Sequence, residues 1–596
     1  MFKGFIFLLK YVWQERKSYV FYQLLLQLAI AVIPLADIAI PKYIIDELTG
    51  NQDIKVLVFW IAVLLAINLL GTMLVSFLKG KVFLLQGQVF TQFQTMMAEK
   101  LSKCDFERLE DPHFLDAKAK AEQFLYANGK GFAAVLTSAF NILGNLISFL
   151  GIVVIIATLD YWILILFVVL ILINAYFEAN ARKRSVQWDL EKAPIERKTN
   201  YLLDLIENFA FGKEIRIFGF KDWLVAKINH HLIESNGFYK KQVQLTNRVN
   251  FFAAFTNFLL KGITYIFLVW SVLLKAISLG DFTMYTSALL SFSNSMQSLM
   301  KSLLDIRQFG GYYDALQDYM NVPQHMYEGK QSPIPEAPYQ IQFENVSFRY
   351  PGQDHDVLHN INITIHAGEK LSIVGENGAG KTTFVKLLCR LYDPTSGRVL
   401  LNGVDIRDLD YEEYMRTICS VFQDYKLLAF TLKENVVFDD ETKTLDSTVN
   451  EILTQSGLAS KLENLPNGVH THIYKTFEDD GFEPSGGEGQ KIALARTIYK
   501  DASIMILDEP TSALDPRSEY EIYRNFSEIT KGKTAVFISH RMSSSRFCDY
   551  IALFKNGCID EYGTHDELMQ KEGAYKELYE MQAQYYLQEK ECADLT

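Results

Sequence analysis

Residues 371–388 read "LSIVGENGAGKTTFVKLL". The stretch begins as a short apolar run, ends with helical spacing, and turns between the two through Gly375, Gly378 and Gly380. Such glycines in an irregular segment make an ordinary turn. Between a strand and a helix, Gly375, Gly380, Lys381 and Thr382 form the GxxxxGKT pattern, in which backbone N–H groups wrap phosphates. Asn377, Gly378 and Thr383 share that wrap, Lys381 reaches the outer phosphates, and the Thr382 hydroxyl ligates Mg²⁺. The order strand, loop, helix predicts an α/β nucleotide-binding domain.

Two further stretches belong to the same chemistry. In "SIMILDEPTSALD", residues 503–515, Ile504 to Leu507 read as a buried strand delivering Asp508 to its end, where a carboxylate can hold the Mg²⁺ shell. Glu509 follows where it can polarise an attacking water. Without the strand in front, the pair would be two solvated carboxylates. In "EPSGGEGQK", residues 483–491, Ser485 can cap a helix while Gly486 and Gly487 expose backbone N–H groups at a positive helix N-terminus. That layout suits an anion, yet Glu483 and Glu488 would repel one.

At 596 residues the chain exceeds one ordinary core, so at least two domains are expected. The average composition, 49% hydrophobic and 21% charged, conceals a division. Six segments of the first half approach the roughly 20 apolar residues needed to cross a bilayer: Tyr19 to Ile45, Val56 to Leu78, Ala133 to Leu159, Tyr161 to Phe177, Phe251 to Leu274, and Phe282 to Leu304, the last being the least apolar. The first contains Pro34, Asp37 and Pro41 and shows no small-residue cleavage site, so it reads as an anchor. The loops 79–131 and 178–250 have helical periodicity rather than turn clusters, so the membrane helices are expected to continue as long cytoplasmic extensions, with tips near 106–114 and 211–218 touching the soluble domain.

Lys3, Lys10, Arg16 and Lys17 on the N-terminal arm, and the Lys and Arg of the two long loops, place both termini and the second half in the cytoplasm. The expectation is a multi-pass protein integral to the cytoplasmic membrane and in contact with its lipid. The six cysteines are scattered with no CxxC or Cys/His cluster, which argues against zinc and a disulfide framework. The net charge of -12 argues against nucleic acid. A proline-containing stretch, "VPQHMYEGKQSPIPEAP", marks a linker. The expected boundaries are 1–321 for the transmembrane domain, 322–338 for the linker, 339–580 for the nucleotide-binding domain and 581–596 for a C-terminal tail.

"GENGAGKTT", "VFQD", "PSGGEGQKIALAR", "ILDEPTSALD" and "FISHR" follow one another in the order and spacing of the nucleotide-binding domain of ATP-binding cassette (ABC) transporters. With six preceding spans, nearly the whole chain resembles an exporter half-transporter. The resemblance implies ATP and Mg²⁺ as cofactors, and ATP hydrolysis coupled to transport. It also implies that Tyr350 stacks on adenine and that Gln423 senses Mg²⁺ and contacts the membrane domain. Asp515 becomes the D-loop aspartate and His540 the switch histidine at the γ-phosphate. Ser485, Gly486 and Gly487 become the signature that binds the γ-phosphate of ATP held by the opposite protomer.

A second half-transporter is therefore implied. Pro484 stands where leucine is usual and Glu488 where glutamine is usual, and the charge of Glu488 could weaken closure. Family members with an altered signature and an intact catalytic glutamate can pair with a partner lacking that glutamate. Retention of Ser485 and both glycines favours the homodimer over such a heterodimer.

Thr283, Ser287, Asn294, Gln297 and Lys301 recur at helical steps in the last span, interrupted by Leu290, and should face a cavity or a helix interface. Lys261 in the fifth span is a further cavity candidate. Asp37 lies about 10 Å away in depth, so a direct pair with Lys261 is not expected. The cassette looks most similar to exporters of ribosomal peptides, including the lantibiotic group, and the short segment before the first span leaves no room for a leader-peptidase domain. The expectation is export of a small peptide by alternating access. Export of multidrug or lipid cargo is the alternative, and a membrane-anchored ATPase that scaffolds a peptide-modification complex is the alternative of another class.

Overall fold

The computed structural model describes residues 3–126, 131–156, 161–208, 211–327, 332–439, 443–510, 529–539 and 542–582. Its contacts divide the chain into two units: Met1–Cys104 with Arg108–Pro323, and Asp105–Glu107 with Gln324–Thr596.

The first unit is helical. It comprises α1 (Lys3–Glu15), α2 (Lys17–Thr49), α3 (Ile54–Ser102), α4 (Phe106–Leu109, shared with the second unit), α5 (Pro112–Tyr126), α6 (Phe132–Ile156), α7 (Tyr161–Glu207), α8 (Gly212–Ile217), α9 (Lys221–Leu273) and α10 (Leu279–Met320). Among the described residues, α2, α3, α6 and α9 are long and apolar enough to cross a membrane. Leu65, Leu69, Leu70 and Met73 of α3 point outward, where bilayer replaces water as the surroundings. The polar last span has a physical explanation: α10 is the packing centre of the unit, touching α2, α6, α7 and α9. Its Ala288, Leu289 and Phe292 are fully buried, so it needs less apolar surface than a lipid-facing helix.

Inside the unit, small residues and amide pairs join helices that hydrophobicity alone cannot join in lipid. Gly144 lets α6 approach α2; a Cβ there would lie 2.6 Å from Gln27 Oε1. Gln27 Nε2 donates to Asn141 Oδ1 at 3.0 Å, and Asn145 Nδ2 donates to Ser298 Oγ at 2.9 Å. Beyond the apolar segments the long loops are mostly helix continuation, as their periodicity predicts. There Asp189 accepts from the Tyr312 hydroxyl and from Gln242 Nε2, each at 2.8 Å. Lys192 pairs with Glu196 at 3.0 Å under the Tyr239 ring. Arg182 binds both Glu178 and Asp305.

The second unit holds two sheets. Strands β1 (Ile341–Phe348), β2 (Leu358–Ile365), β4 (Ser396–Leu401) and β5 (Val404–Asp405) form an antiparallel sheet in the order β2-β1-β4-β5. Strands β3 (Lys370–Gly375), β6 (Ile418–Val421), β7 (Ile504–Asp508), β8 (Thr534–Ile538), β9 (Tyr550–Lys555) and β10 (Cys558–Gly563) form the second, ordered β10-β9-β3-β8-β7-β6 and parallel except for β10. Every residue of β7 and β8 is buried, as a sheet covered on both faces requires. Because β3, β8 and β7 run parallel, Gly375 and Asp508 end at the same edge, where α/β sheets bind ligands. The short insert Asp105–Glu107 completes this unit: Asp105 accepts from the backbone N–H of His325 and Met326 at 3.1 and 3.2 Å, and Phe106 meets Tyr392 edge-on at 5.7 Å.

The close approach at Gly144 gives a direct test. Gly144→Leu should force α2 and α6 apart, costing about 1–3 kcal/mol. The measurement is the melting temperature of the purified protein in detergent; an unchanged value would contradict the packing described.

Candidate nucleotide site

The loop after β3 takes its shape from glycine. Gly375 has φ +143, and a Cβ there would stand 2.2 Å from the carbonyl oxygen of Phe554. Gly380 has φ +99 and caps the helix Lys381–Leu388, whose N-terminus faces the loop and favours an anion. Lys381 Nζ donates to the carbonyls of Gly375 and Glu376 at 2.9 and 2.8 Å. Burial lowers the affinity of Lys381 for its proton, while Glu509 and Asp508 act in the opposite sense. A cavity of about 490 Å³ lies over the loop, lined by Asn377, Gly378, Gly380, Lys381, Thr382 and Thr383, with Val357, Gln423 and Glu509 closing it. That volume falls in the range of cofactor sites. Tyr350 stands beside it, its hydroxyl 3.1 Å from Thr383 Oγ1 and its ring under Lys386 Nζ.

Across the cavity stand two carboxylates. Asp508 is 2% exposed. Burial and the neighbouring Glu509 raise its pKa to about 6, against the opposing effects of Lys381 and a Thr382 hydrogen bond. Glu509 has φ +50, a left-handed conformation uncommon for a residue with a side chain and concentrated at functional sites. Three contacts hold it: its N–H donates to Ile538 O at 3.0 Å, Gln423 Nε2 donates to its carboxylate at 2.9 Å, and Gln490 Nε2 donates to its carbonyl at 3.2 Å. The structure thus brings Thr382, Gln423, Asp508 and Glu509 together. Asp515 and His540 lie outside the described residues.

Ser485 caps the helix Gly486–Lys500 in a capping box. Its hydroxyl accepts from Glu488 N at 3.3 Å, and Glu488 Oε2 accepts from Ser485 N at 2.8 Å. The repulsion expected of Glu488 is met within the chain, because Lys461 Nζ lies 3.2 Å from its other carboxylate oxygen. Burial alone would raise the Glu488 pKa; the Ser485 N–H, Lys461 and the Ser485 hydroxyl together bring it below the usual range. Ser485 and Gly486 remain exposed, and Glu483 is exposed beside them.

Three contributors were not legible as motifs. Gln490 ties the signature helix to Glu509. Lys461 comes from a separate short helix, Ala459–Leu462. Tyr425 donates its hydroxyl to Gly486 O at 3.0 Å, so the segment carrying Gln423 touches both the Glu509 carboxylate and Gly486.

In the helical unit, a cavity of about 250 Å³ between α9 and α10 is lined by Lys261, Asn294 and Gln297, together with Asn257, Thr264 and Ser293 among others. Gln297 Nε2 donates to Asn257 Oδ1 at 2.7 Å and Ser293 Oγ at 3.0 Å. Thr283 and Ser287 are not part of that lining. Thr283 gives its hydroxyl to Gly280 O at 2.8 Å and Ser287 is exposed, because the lining follows Thr286, Leu289, Ser293 and Gln297 down the helix. Asp37 accepts from Asn68 at 2.7 Å instead of meeting Lys261.

A stability measurement checks the carboxylate pair. The folded pKa of Asp508, about 6, exceeds its ordinary value of 3.8, so the penalty is complete above pH 6 and is relieved as pH falls from 6 towards 4. Asp508→Asn should therefore raise the melting temperature of nucleotide-free protein in chelator by roughly 2–4 °C at pH 7.5, with the gain shrinking towards pH 5. A destabilised variant, or a gain growing at low pH, would contradict this electrostatic account.

Comparison with known proteins agrees with this geometry. The ABC transporter family model matches residues 358–512. Over most of its length the chain is similar to the subtilin transport ATP-binding protein SpaT of Bacillus subtilis, 29% identical across 92% of this chain and 89% of that one. It is also similar to the nisin transport ATP-binding protein NisT of Lactococcus lactis subsp. lactis, 27% identical across 96% and 95% respectively. Its fold matches that of a bacterial Atm1-family ABC exporter solved with ATP bound, at TM-score 0.78, 22% identity, and coverage of 96% of this chain and 99% of that one. The chain carries an ABC transporter domain and matches an ABC exporter in fold over nearly its whole length; it is an ATP-driven exporter, an ATP hydrolase coupled to transport.

Proposed function

We propose that two copies of this chain export a small peptide across the cytoplasmic membrane, each ATP being held between the phosphate loop of one copy and Ser485, Gly486 and Gly487 of the other. The observation that carries the homodimer is the capping box. Glu488 is paired with Lys461 inside its own chain, so the altered signature can still offer exposed Ser485 and glycine N–H groups to a phosphate. The peptide assignment is supported by similarity to the subtilin and nisin transport proteins.

The residues fit Mg²⁺: Thr382, Asp508 and the Gln423 carboxamide offer hard oxygen donors at one edge of the sheet, and the cost of charging Asp508 falls when a cation is present. When bound, that ion neutralises charge shared by the β- and γ-phosphates. Lys381 exchanges the carbonyls of Gly375 and Glu376 for phosphate oxygens. Tyr350 carries the adenine. Glu509, oriented through Gln423 and Gln490, polarises the attacking water, while Asp515 and His540 belong to the closed site. The cargo lies against Lys261, Asn294 and Gln297. Both termini and the nucleotide unit face the cytoplasm.

Uptake of a cationic leader-bearing peptide into inside-out proteoliposomes tests the function. It should require ATP and fall at least 100-fold in Glu509→Gln, with ATP binding retained. Uptake of a hydrophobic dye but not of peptide would replace this cargo class with the multidrug one.

The signature pairing makes a separate prediction. Lys461→Met should lower ATP turnover about tenfold by freeing the Glu488 charge at the interface, and adding Glu488→Gln should restore it. Failure of the second change to rescue the first would remove Lys461 from the site.

A further inference from the structure

A second cavity in the helical unit, of about 330 Å³, lies where α1, α7 and α10 meet. Two close approaches frame it. A Cβ on Gly4 would stand 2.7 Å from Tyr313 Cβ, and one on Gly311 would stand 2.8 Å from Val186 Cγ1. The helices are thus fixed on either side of a space that no side chain fills. Lys3, Arg182, Lys183 and Arg307 line it, against the single carboxylate Asp314. Arg182 is engaged by Glu178 and Asp305, neither of which lines the cavity. Lys3, Lys183 and Arg307 form no ion pair among the described residues. Gln308, 5% exposed, also lines the space, and its carboxamide oxygen has no hydrogen-bond partner among the described residues.

The level of the cavity identifies the ligand. Lys183 follows the apolar stretch of α7 by less than two turns, and Arg307 stands within a turn of the end of the apolar part of α10. Helix α1 buries Gly4, Leu8 and Val12 against the unit while exposing Ile6 and Trp13 beside Lys3 and Lys10. Apolar and aromatic side chains beside cations on one short helix are the mark of a helix lying in the membrane interface. A cationic cavity at that depth meets phosphodiester headgroups, and basic pockets between membrane helices bind anionic lipid in this way. We propose that this cavity is a binding site for the phosphate of an anionic phospholipid, held by Lys3, Lys183 and Arg307, with the Gln308 amide receiving a headgroup hydroxyl.

The test uses the full-length protein in detergent, supplied with equal amounts of phosphatidylglycerol and phosphatidylcholine and examined by native mass spectrometry. Wild type should retain at least five times more phosphatidylglycerol. Lys183→Gln with Arg307→Gln should bring the ratio below two, the charge-conserving pair Lys183→Arg with Arg307→Lys should keep it, and Lys10→Gln on the exposed face of α1 should leave it unchanged. Equal retention of the two lipids by wild type overturns the proposal. So does a loss in Lys10→Gln as large as in the double variant, which would show diffuse surface charge. Displacement of phosphatidylglycerol by 10-fold lower concentrations of inorganic phosphate would assign the cavity to a free anion and overturn the lipid assignment.

Discussion

Two carboxylates at the end of one buried strand set the terms for the nucleotide unit. Asp508 and Glu509 stand side by side at the end of the strand, and the charge of one raises the cost of charging the other. The fold can hold them there because β7 lies inside a parallel sheet, paired with β8 from Ile504 to Asp508 and with β6 from Ile504 to Leu507. Lys381, the glycine-shaped loop and a helix N-terminus supply positive potential across the cavity. Ser485 and Gly486 are exposed, and in the proposed dimer they would cover the cavity of the other copy.

The helical unit obeys a different balance. Its outer face is apolar and its contacts are made by small residues and amides, because lipid offers no hydrophobic gain when two helices meet. Gly144, Gln27 and Asn145 join α2, α6 and α10 in this way. Past the apolar segments, Asp189, Lys192 and Tyr312 form buried polar contacts that single out one arrangement of the helices, since an unpaired member would be costly.

The phosphate loop and β7 were legible in the sequence because each is local: a strand, a turn that needs glycine, and a charged residue at a fixed offset. The extension of the membrane helices was legible for the same reason, through unbroken helical periodicity. Contacts between distant segments were not. Glu488 reads as a repulsive charge until Lys461, on a separate short helix, is placed beside it. Nothing in a glutamine one turn into a helix announces that Gln490 will hold the Glu509 backbone, and Tyr425 looks like an ordinary loop aromatic. The polar stripe of the last span divides in the structure: Asn294 and Gln297 line the cavity, whereas Thr283 and Ser287 do not, because the adjoining α9 sets which side of α10 is covered.

The central claim is that the working site is shared between two copies of this chain. Complementation tests it most directly. Lys381→Met destroys the phosphate loop and Gly486→Asp destroys the signature, so each variant alone should lose ATP hydrolysis. Co-expressed and purified as a mixed dimer in lipid nanodiscs, the two leave one phosphate loop facing one intact signature. The account predicts recovery of about half the wild-type turnover per mixed dimer. A mixed dimer as inactive as its parents, from protein that still binds ATP at the Gly486→Asp copy, would contradict it.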